Sequence, residues 1–313
     1  MASKFVSRYI ASMEVRNTSV GRATLLIIVS AFSFGSISVL TLLITGAGIS
    51  LITAMAWRYV IAALMLAAIC DLRQVRGVSR KRILQLLLIG GLGQALITYL
   101  SLRALDFIPV GPLAFLFYTY PAWVALLAAI RKTERLTPVK IFALTLALIG
   151  VTIMVGGPAT ERLNPTGVVL AVSSALIYSA YLPALEHVQE GVPAFISTFF
   201  LVAGAAAAFT IVALFQQDVR VPANRDLWTN IIILSLVSTV IAFAALIKGL
   251  AVLGPVRTSI IATVEPFFTA ILGVLVLGSQ FSNTTLLGGI LIAAAILTIE
   301  WSSAQLVSTT TTD

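Results

Sequence analysis

The chain has 313 residues, of which 59% are hydrophobic and 10% are charged, and its mean hydropathy is +1.05. Soluble domains carry about 25% charged residues, so this composition excludes a soluble monomer and indicates an integral membrane protein. The formal net charge is +8 at pH 7, which would suit a nucleic-acid partner. Most basic residues, however, lie in short segments between apolar runs, where they set the orientation of the protein in the membrane, so we predict no nucleic-acid partner.

Cysteine and histidine are each present once, as Cys70 and His187. A single cysteine excludes an intramolecular disulfide, and the sequence lacks the Cys/His cluster that is typical of a metal site. We therefore predict no metal and no cofactor. His187 lies in the segment EHVQEG, which is typical of a loop, and we interpret it as a surface residue rather than a proton relay.

The first 21 residues form a polar and basic segment with Phe5, Tyr9 and Met13 at helical spacing. This pattern fits a short helix on the membrane surface, and it fits a disordered tail equally well. The apolar run that follows, residues 23–45, is too long for the core of a signal peptide and long enough to cross a bilayer. We predict that it is a retained first span.

Ten apolar runs of about 20 residues, the length that crosses a bilayer, follow one another along the chain. Short separators containing Gly, Pro or Asn divide them, and none leaves room for a soluble domain. The polar residues 302–313 predict a disordered cytoplasmic tail. The predicted spans are 23–45, 51–70, 83–103, 111–130, 138–156, 165–186, 193–215, 229–250, 257–277 and 284–301.

Lysine and arginine are concentrated in alternate loops, which sets the predicted orientation. They cluster before the first span, between spans two and three, and between spans four and five, whereas the intervening loops carry few. The loop around His187 is an exception, because it contains acidic residues and no lysine or arginine, but acidic residues have little weight in this rule. We predict a multi-pass protein of the plasma or inner membrane with both termini in the cytoplasm.

Two stretches of the chain share one design, residues 102–130 and 246–278. Each stretch contains the end of one helix, then a break at a Gly-Pro pair, and then an apolar helix that a second proline interrupts. The interrupting proline follows a tyrosine in the first copy, Tyr120-Pro121, and a glutamate in the second, Glu265-Pro266. The Gly-Pro pairs are Gly111-Pro112 and Gly254-Pro255.

With five spans in each half, the second half enters the membrane from the opposite side to the first. We therefore predict an all-α membrane protein of two inverted five-helix repeats, residues 22–157 and 158–301, related by a pseudo-twofold axis in the membrane plane. This architecture is typical of transporters that alternate access to a site near the middle of the bilayer. Small residues in spans five and ten favour close packing, either within the monomer or across a homodimer interface.

Three segments of the chain share a pattern with one known family. They are GLAVLGPVRTSIIATVEPFFTAILGVLVLG from Gly249, ALDFIPVGPLAFLFYTYPAWVALLAAIRKTERLTPVKIFALTLALIGV from Ala104, and Ala56-Trp57-Arg58-Tyr59. Together they resemble the EamA family of the drug/metabolite transporter superfamily, over nearly the whole chain. The sequence departs from the family at Gly278-Ser279-Gln280-Phe281, where an acidic residue is usual. The resemblance implies ten helices in two inverted repeats, a central cavity, and most often export of amino acids or other small metabolites.

Glu265 is the main candidate for a functional role, because it lies about seven residues into an apolar run, roughly 10 Å deep at 1.5 Å per residue. Desolvation favours a neutral carboxyl and a nearby cation favours a charged one, so a conformational change would alternate its proton affinity. We predict a coupling or gating role for Glu265, with Pro266 and Pro121 as the points where the helices open. Two structural roles stay open, an ion pair with Arg58 and a hydrogen bond to the Ala262 carbonyl that Pro266 leaves unpaired.

A further set of basic and aromatic residues forms the candidates for substrate binding. Arg58 would bind a carboxylate or phosphate if it faced the cavity, but a side chain this near a helix end would also reach water at the membrane surface. Aromatic residues near span centres predict helix packing or an interfacial belt, with a subset facing a wet cavity that satisfies the tyrosine hydroxyls. The candidates are Arg58, Trp57, Tyr99, Tyr120, Trp123, Tyr178 and Tyr181.

These features favour a secondary active transporter in the lipid bilayer with a small-molecule substrate, exporting amino acids or related solutes, with proton coupling as one source of energy. The sequence contains no P-loop to supply ATP hydrolysis. An intramembrane enzyme would need a catalytic motif such as HExxH or GxSxG, and the sequence contains neither. A channel or facilitator, and an importer of a nucleoside or sugar derivative, are the alternative functions.

Overall fold

The computed structural model describes residues 2–70, 74–108, 110–134, 136–155, 163–278 and 282–309. Within these ranges the chain forms helices joined by short turns, and no strand. The predicted boundary between the repeats, at residues 157 and 158, and the last four residues of the predicted tail, 310–313, lie outside the described residues.

The membrane bundle is built from α-helices and two short π-helical turns. The α-helices are α1 (Ala2–Gly46), α2 (Leu51–Ile69), α3 (Arg80–Leu88), α4 (Ala95–Ala104), α5 (Val110–Phe117), α6 (Tyr120–Ile130), α7 (Pro138–Val155), α8 (Pro165–Gln189), α9 (Ala194–Phe215), α10 (Arg225–Ser235), α11 (Ala242–Ala262), α12 (Glu265–Leu277) and α13 (Asn283–Thr309). The π-helical turns at Ile89–Gln94 and Leu236–Ile241 join α3 to α4 and α10 to α11, so each pair forms one continuous span.

Nine helical stretches of the described chain are long and apolar enough to cross a membrane. The longest, Arg225–Ala262, has 38 residues and contains a break at Gly254, whose φ of 74° and ψ of 170° are not helical. Glycine reaches this conformation without strain, and Pro255 cannot continue the preceding helix. The break separates the predicted spans eight and nine, and the segment after it continues through α12. Divided at this break, the described chain has ten apolar helical stretches, in agreement with the ten predicted spans.

Two of the spans that carry an internal proline open on its N-terminal side, whereas α8 continues through Pro183. α5 ends at Phe117 and α6 begins at Tyr120, while α11 ends at Ala262 and α12 begins at Glu265. Pro121 and Pro266 occupy the first turn of the new helix, where the missing N–H is tolerated. The helix is therefore interrupted before each of these two prolines, and a gating role for them stays a prediction.

Three helix ends differ from the sequence interpretation. Helix α8 continues to Gln189, so His187 lies in its last turn and not in a loop, although its side chain is 74% exposed. Helix α1 starts at Ala2 and helix α13 ends at Thr309, so residues 302–309 are helical where a disordered tail was predicted. Extending an existing helix needs no new nucleus, which explains why polar segments next to a span continue its helix.

The main helix pairs keep their pattern when the two halves are exchanged. Helix α7 packs along α13, and α2 packs along α9. Helix α1 packs against α11 and α12, while α8 packs against α4, α5 and α6. Each π-helical turn lies against the second helix of the other half, α9 or α2. This matched pairing supports the predicted pseudo-twofold relation between the halves.

Glycines bring the backbones of α7 and α13 into close contact. A Cβ atom on Gly288 would lie 2.4 Å from the Gly150 carbonyl oxygen, and one on Gly150 would lie 2.8 Å from the Gly288 carbonyl oxygen. Such contacts are typical of membrane helices, which lack a hydrophobic driving force for association in lipid. Gly150 and Gly288 therefore pack within the monomer, which is one of the two roles predicted for the small residues of spans five and ten.

Candidate substrate cavity

A cavity of about 430 Å³ lies between helices of both halves in the described structure. Its wall contains residues of α1, α2, α4, α5, α7, α8, α12 and α13, and of the π-helical turn between α3 and α4. The wall is mostly apolar and aromatic with few polar groups, an arrangement typical of sites for small organic solutes. Of the predicted candidates, the wall includes Arg58, Tyr178, Glu265 and Pro266.

Glu265 is the first residue of α12, directly after the turn that opens the helix before Pro266. Its side chain is partly buried and lines the cavity, and its carboxyl is in polar contact with Tyr118. Among the described residues, no lysine, arginine or histidine forms an ion pair with it. Neither the pairing with Arg58 nor the hydrogen bond to the Ala262 carbonyl is present in this part of the chain.

Aromatic rings surround the cavity next to Glu265. The Tyr178 ring meets the Tyr120 ring edge-on at 4.7 Å between centroids and lies 5.7 Å from the Phe117 ring. Tyr120 occupies in the first half the position that Glu265 has in the second, as the first residue after the helix break. It is 1% exposed, and its hydroxyl donates to the Ser259 carbonyl at 3.5 Å, so it supports the wall from behind.

Arg58 lies in the α2 wall of the cavity and is 1% exposed, so its side chain is buried within the bundle. Its Nε donates to Thr239 Oγ1 at 2.7 Å, and its Nη2 donates to the Ser238 carbonyl oxygen at 2.7 Å. Both acceptors lie in the π-helical turn of the second half, a type of helix distortion that is frequent at functional sites. The guanidinium also lies 4.9 Å from the centroid of the Tyr59 ring. Arg58 therefore joins the two halves.

Gln94 is a wall residue that the sequence reasoning missed. It ends the π-helical turn of the first half, and its Nε2 donates to Thr98 Oγ1 at 3.1 Å. Its buried Oε1 has no hydrogen-bond partner among the described residues, so a bound solute would find an acceptor there. The sequence does indicate this residue, because Gln94 is an amide within the apolar run around IGGLGQ, and polar residues inside membrane spans are often functional.

The remaining candidates do not line the cavity. Trp57 Nε1 donates to the Arg220 carbonyl oxygen at 3.0 Å, and Tyr99 and Trp123 are 37% and 36% exposed on the outside of the bundle. Tyr181 is 4% exposed and stacks on Tyr178, and Pro121 is buried beside Tyr120. Tyr118, which contacts Glu265, lines the cavity although it was not among the selected residues.

Comparisons with known proteins agree with this architecture. The model of the EamA-like transporter family matches residues 21–156 and again residues 165–301. A curated relative from Archaeoglobus fulgidus, described as an uncharacterized transporter, is 28% identical over 215 residues, which cover 67% of this chain and 75% of the relative. A solved structure, described only as a crystal structure of a protein, has a TM-score of 0.75 at 20% identity, covers 91% of this chain and 98% of its own, and supports the fold. The membrane helices and the family match over both halves together show that the chain belongs to the EamA-like transporter family.

Proposed function

We propose that the protein is a secondary active exporter of a small, amine-bearing solute, such as an amino acid or a related compound. Transport would proceed by alternating access around the cavity. The observation that carries this proposal is the Glu265 carboxyl in the cavity wall, which has no cationic partner among the described residues. Membership of a transporter family supports a small-molecule substrate, and the chemistry of the wall supports its class.

A carboxylate in an apolar site is costly unless a cation or a proton neutralises it. Since the described chain places no cation beside Glu265, a solute ammonium group or a proton is the expected partner. The unpaired Gln94 Oε1 is a second acceptor for N–H donors, and the Tyr118 and Tyr178 rings are suited to cation–π contact. This part of the wall therefore complements an ammonium group.

Arg58 is the other charged residue in the wall. Two of its N–H groups donate to Thr239 and Ser238, and the remaining guanidinium donors are free of oxygen partners in the described structure. Guanidinium groups recognise carboxylates well, so the wall offers one group for each end of a zwitterion. This combination favours amino acids over nucleosides or neutral sugars.

Proton coupling follows from the same carboxyl. A proton and a solute ammonium group compete for Glu265, so binding of one releases the other, and their transport in opposite directions is coupled. An inward proton gradient would then drive export, the direction that the family resemblance implies. Tyr120 has the matching position in the first half, but a phenol does not ionise near neutral pH, so coupling is expected through Glu265 alone.

Purified protein reconstituted in vesicles tests this proposal. A series of three related compounds (phenylalanine, its decarboxylated amine and its 2-hydroxy acid) would be compared by thermal stabilisation and by competition for counterflow of labelled phenylalanine. We expect phenylalanine to stabilise the protein and compete most strongly, its decarboxylated amine to do both more weakly because it lacks the carboxylate for Arg58, and the hydroxy acid, which lacks the amine, to do neither.

Equal competition by the hydroxy acid would contradict recognition of an amine. Flux that does not saturate would favour the channel alternative. Gradient-driven uptake of a nucleoside or sugar derivative, without counterflow of any member of the series, would favour the importer alternative.

A further inference from the structure

Arg257, Glu300 and Thr24 form a polar contact between three helices at one end of the bundle. Arg257 Nη2 donates to Glu300 Oε1 at 2.8 Å, and the Thr24 hydroxyl donates to the same oxygen at 2.8 Å. The contact joins α11, α13 and α1, and the side chains of Arg257 and Glu300 are 15% and 26% exposed. Arg22 of the N-terminal basic cluster precedes Thr24, so the charge rule predicts that this end faces the cytoplasm.

The matched pairing of the two halves gives these residues counterparts at the other end of the bundle. Counting from the Gly-Pro break of each half matches Ala114 with Arg257; the second half has two more residues between this break and its internal proline, so this count applies next to the break and differs by two from the match of Tyr120 with Glu265. Counting from the first residues of α7 and α13 matches Val155 with Glu300. Ala114 and Val155 both line the cavity. Arg257 and Glu300 therefore occupy, at the cytoplasmic end, the positions that form the cavity wall at the opposite end.

The neighbours of these residues line the cavity in one half and are more deeply buried in the other. Leu113 and Met154 lie in the cavity wall and are each 9% exposed. Their counterparts, Val256 and Ile299, are 1% and 3% exposed and belong to the hydrophobic core. The cavity therefore reaches Leu113 and Met154, whereas Val256 and Ile299 at the corresponding positions of the other half do not line it and are buried more completely.

We propose that Arg257, Glu300 and Thr24 form the inner gate of the transport pathway, and that Arg257 and Glu300 line an inward-facing cavity when this gate opens. The proposal rests on alternating access, as set out in the proposed function. The gate is asymmetric, because the outer counterparts Ala114 and Val155 are apolar and carry no charge. An ion pair with a shared hydroxyl donor closes the inner end, so the resting protein favours the form with the inner end closed.

A cysteine at Val256 reports opening of the inner end, because this side chain is packed when the gate is closed. The background is Cys70→Ser, which removes the single native cysteine. We expect Glu300→Gln and Arg257→Gln each to accelerate labelling of Val256→Cys by a membrane-permeant maleimide about tenfold, which corresponds to a loss of about 1.4 kcal/mol. The exchanged pair, Arg257→Glu with Glu300→Arg, should restore slow labelling because opposite charges again face each other.

A cysteine at Leu113 distinguishes a shifted equilibrium from a loosened fold. Its labelling by an impermeant reagent from outside should become slower in the same variants, because the outer cavity closes when the inner end opens. General destabilisation would accelerate labelling at Val256 and Leu113 alike, and would overturn the proposal. Asp106→Asn is the control, since it breaks the exposed ion pair with Arg103 and should leave both rates unchanged.

Thr24→Val keeps the proposal testable if the charge variants do not reach the membrane. It removes one of two donors to Glu300 and should give a smaller change of the same sign at Val256 and Leu113. Unchanged rates in Thr24→Val and in the charge variants, or fast labelling in the exchanged pair, would overturn the gate. Counterflow by the wild type tests the proposed function separately from the gate. Opposite changes in the labelling rates of the cysteines at Val256 and Leu113 would establish the gate even if no transport were measured.

Discussion

Arg58 Nη2 donates to the Ser238 carbonyl oxygen at 2.7 Å and so fastens α2 of the first half to the π-helical turn of the second half. Leu201 of α9 is the counterpart of Arg58 when each helix is counted from its first residue. Its backbone lies against the π-helical turn of the first half, where a Cβ atom on Gly90 would come within 1.9 Å of the Leu201 carbonyl oxygen. The buried Arg58 guanidinium stabilises the contact of α2 with the second π-helical turn. The matching contact of α9 with the first π-helical turn is possible because Gly90 has no side chain.

Arg58→Lys is expected to destabilise the fold, because a lysine ammonium group cannot reproduce both bonds of the guanidinium fork. Hydrogen bonds to charged groups contribute about 1.5–3 kcal/mol each, so the loss of one should lower the melting temperature measurably. Thermal unfolding of purified protein measures the change. Arg220→Lys is the control, since its side chain is 67% exposed, and an exposed substitution should stay within about 0.5 kcal/mol. Equal stability of Arg58→Lys and the wild type would contradict a stabilising role for the hydrogen bonds from Arg58 to Thr239 and Ser238.

Gly90→Ala is expected to destabilise the contact between α9 and the first π-helical turn, because the added methyl group would overlap the Leu201 backbone. Overpacking of this kind costs about 1–3 kcal/mol when the neighbouring atoms are backbone and cannot move aside. Gly21→Ala is the matched control, since a Cβ atom there meets nothing within 4 Å. Comparison of the two melting temperatures tests the contact, and equal values for both variants would contradict it.

Glu265→Gln is expected to fold and reach the membrane, because glutamine keeps the shape and a hydrogen bond to Tyr118. The variant cannot exchange a proton, so transport against a gradient should be lost and the pH dependence of transport should flatten, while solute exchange continues. Vesicle assays with and without an imposed pH gradient measure both activities. Glu190→Gln is the control, since its side chain is 76% exposed and should leave the pH profile unchanged. Uphill transport with a normal pH profile in Glu265→Gln would show that the carboxyl is structural.

The predicted orientation is tested by single cysteines in a Cys70→Ser background. Cysteines at Ala47 and Ala223 should react with an impermeant thiol reagent from outside, and one at Val78 should not, because basic clusters keep their loops in the cytoplasm. Ala47 and Ala223 are exposed in the turns after α1 and before α10. A cysteine at Ala159 should also react from outside, although this position lies outside the described residues. The opposite labelling pattern would contradict the predicted orientation, in which both termini lie in the cytoplasm.

Several features of the molecule were predictable because their causes are local in the chain. The length of an apolar run determines whether it crosses a bilayer, so the spans could be counted without a structure. Helix breaks were expected at Pro266 and Pro121 because a proline lacks the N–H and crowds the preceding turn, although α8 continues through Pro183. Glu265 was identifiable because a carboxyl within an apolar run is costly at any rotation of the helix.

The faces that helices present to each other were decided only by the tertiary structure. In a soluble protein the apolar face of a helix indicates its buried side, but in a membrane the lipid-facing side is equally apolar. Tyr178 and Tyr99 therefore look alike in the sequence, although one lines the cavity and the other is 37% exposed. The same limit applies to the partner of Arg58 and to the ion pair between Arg257 and Glu300. Both contacts join helices far apart in the chain, and their formation depends on helix rotation and crossing, which local periodicity does not encode.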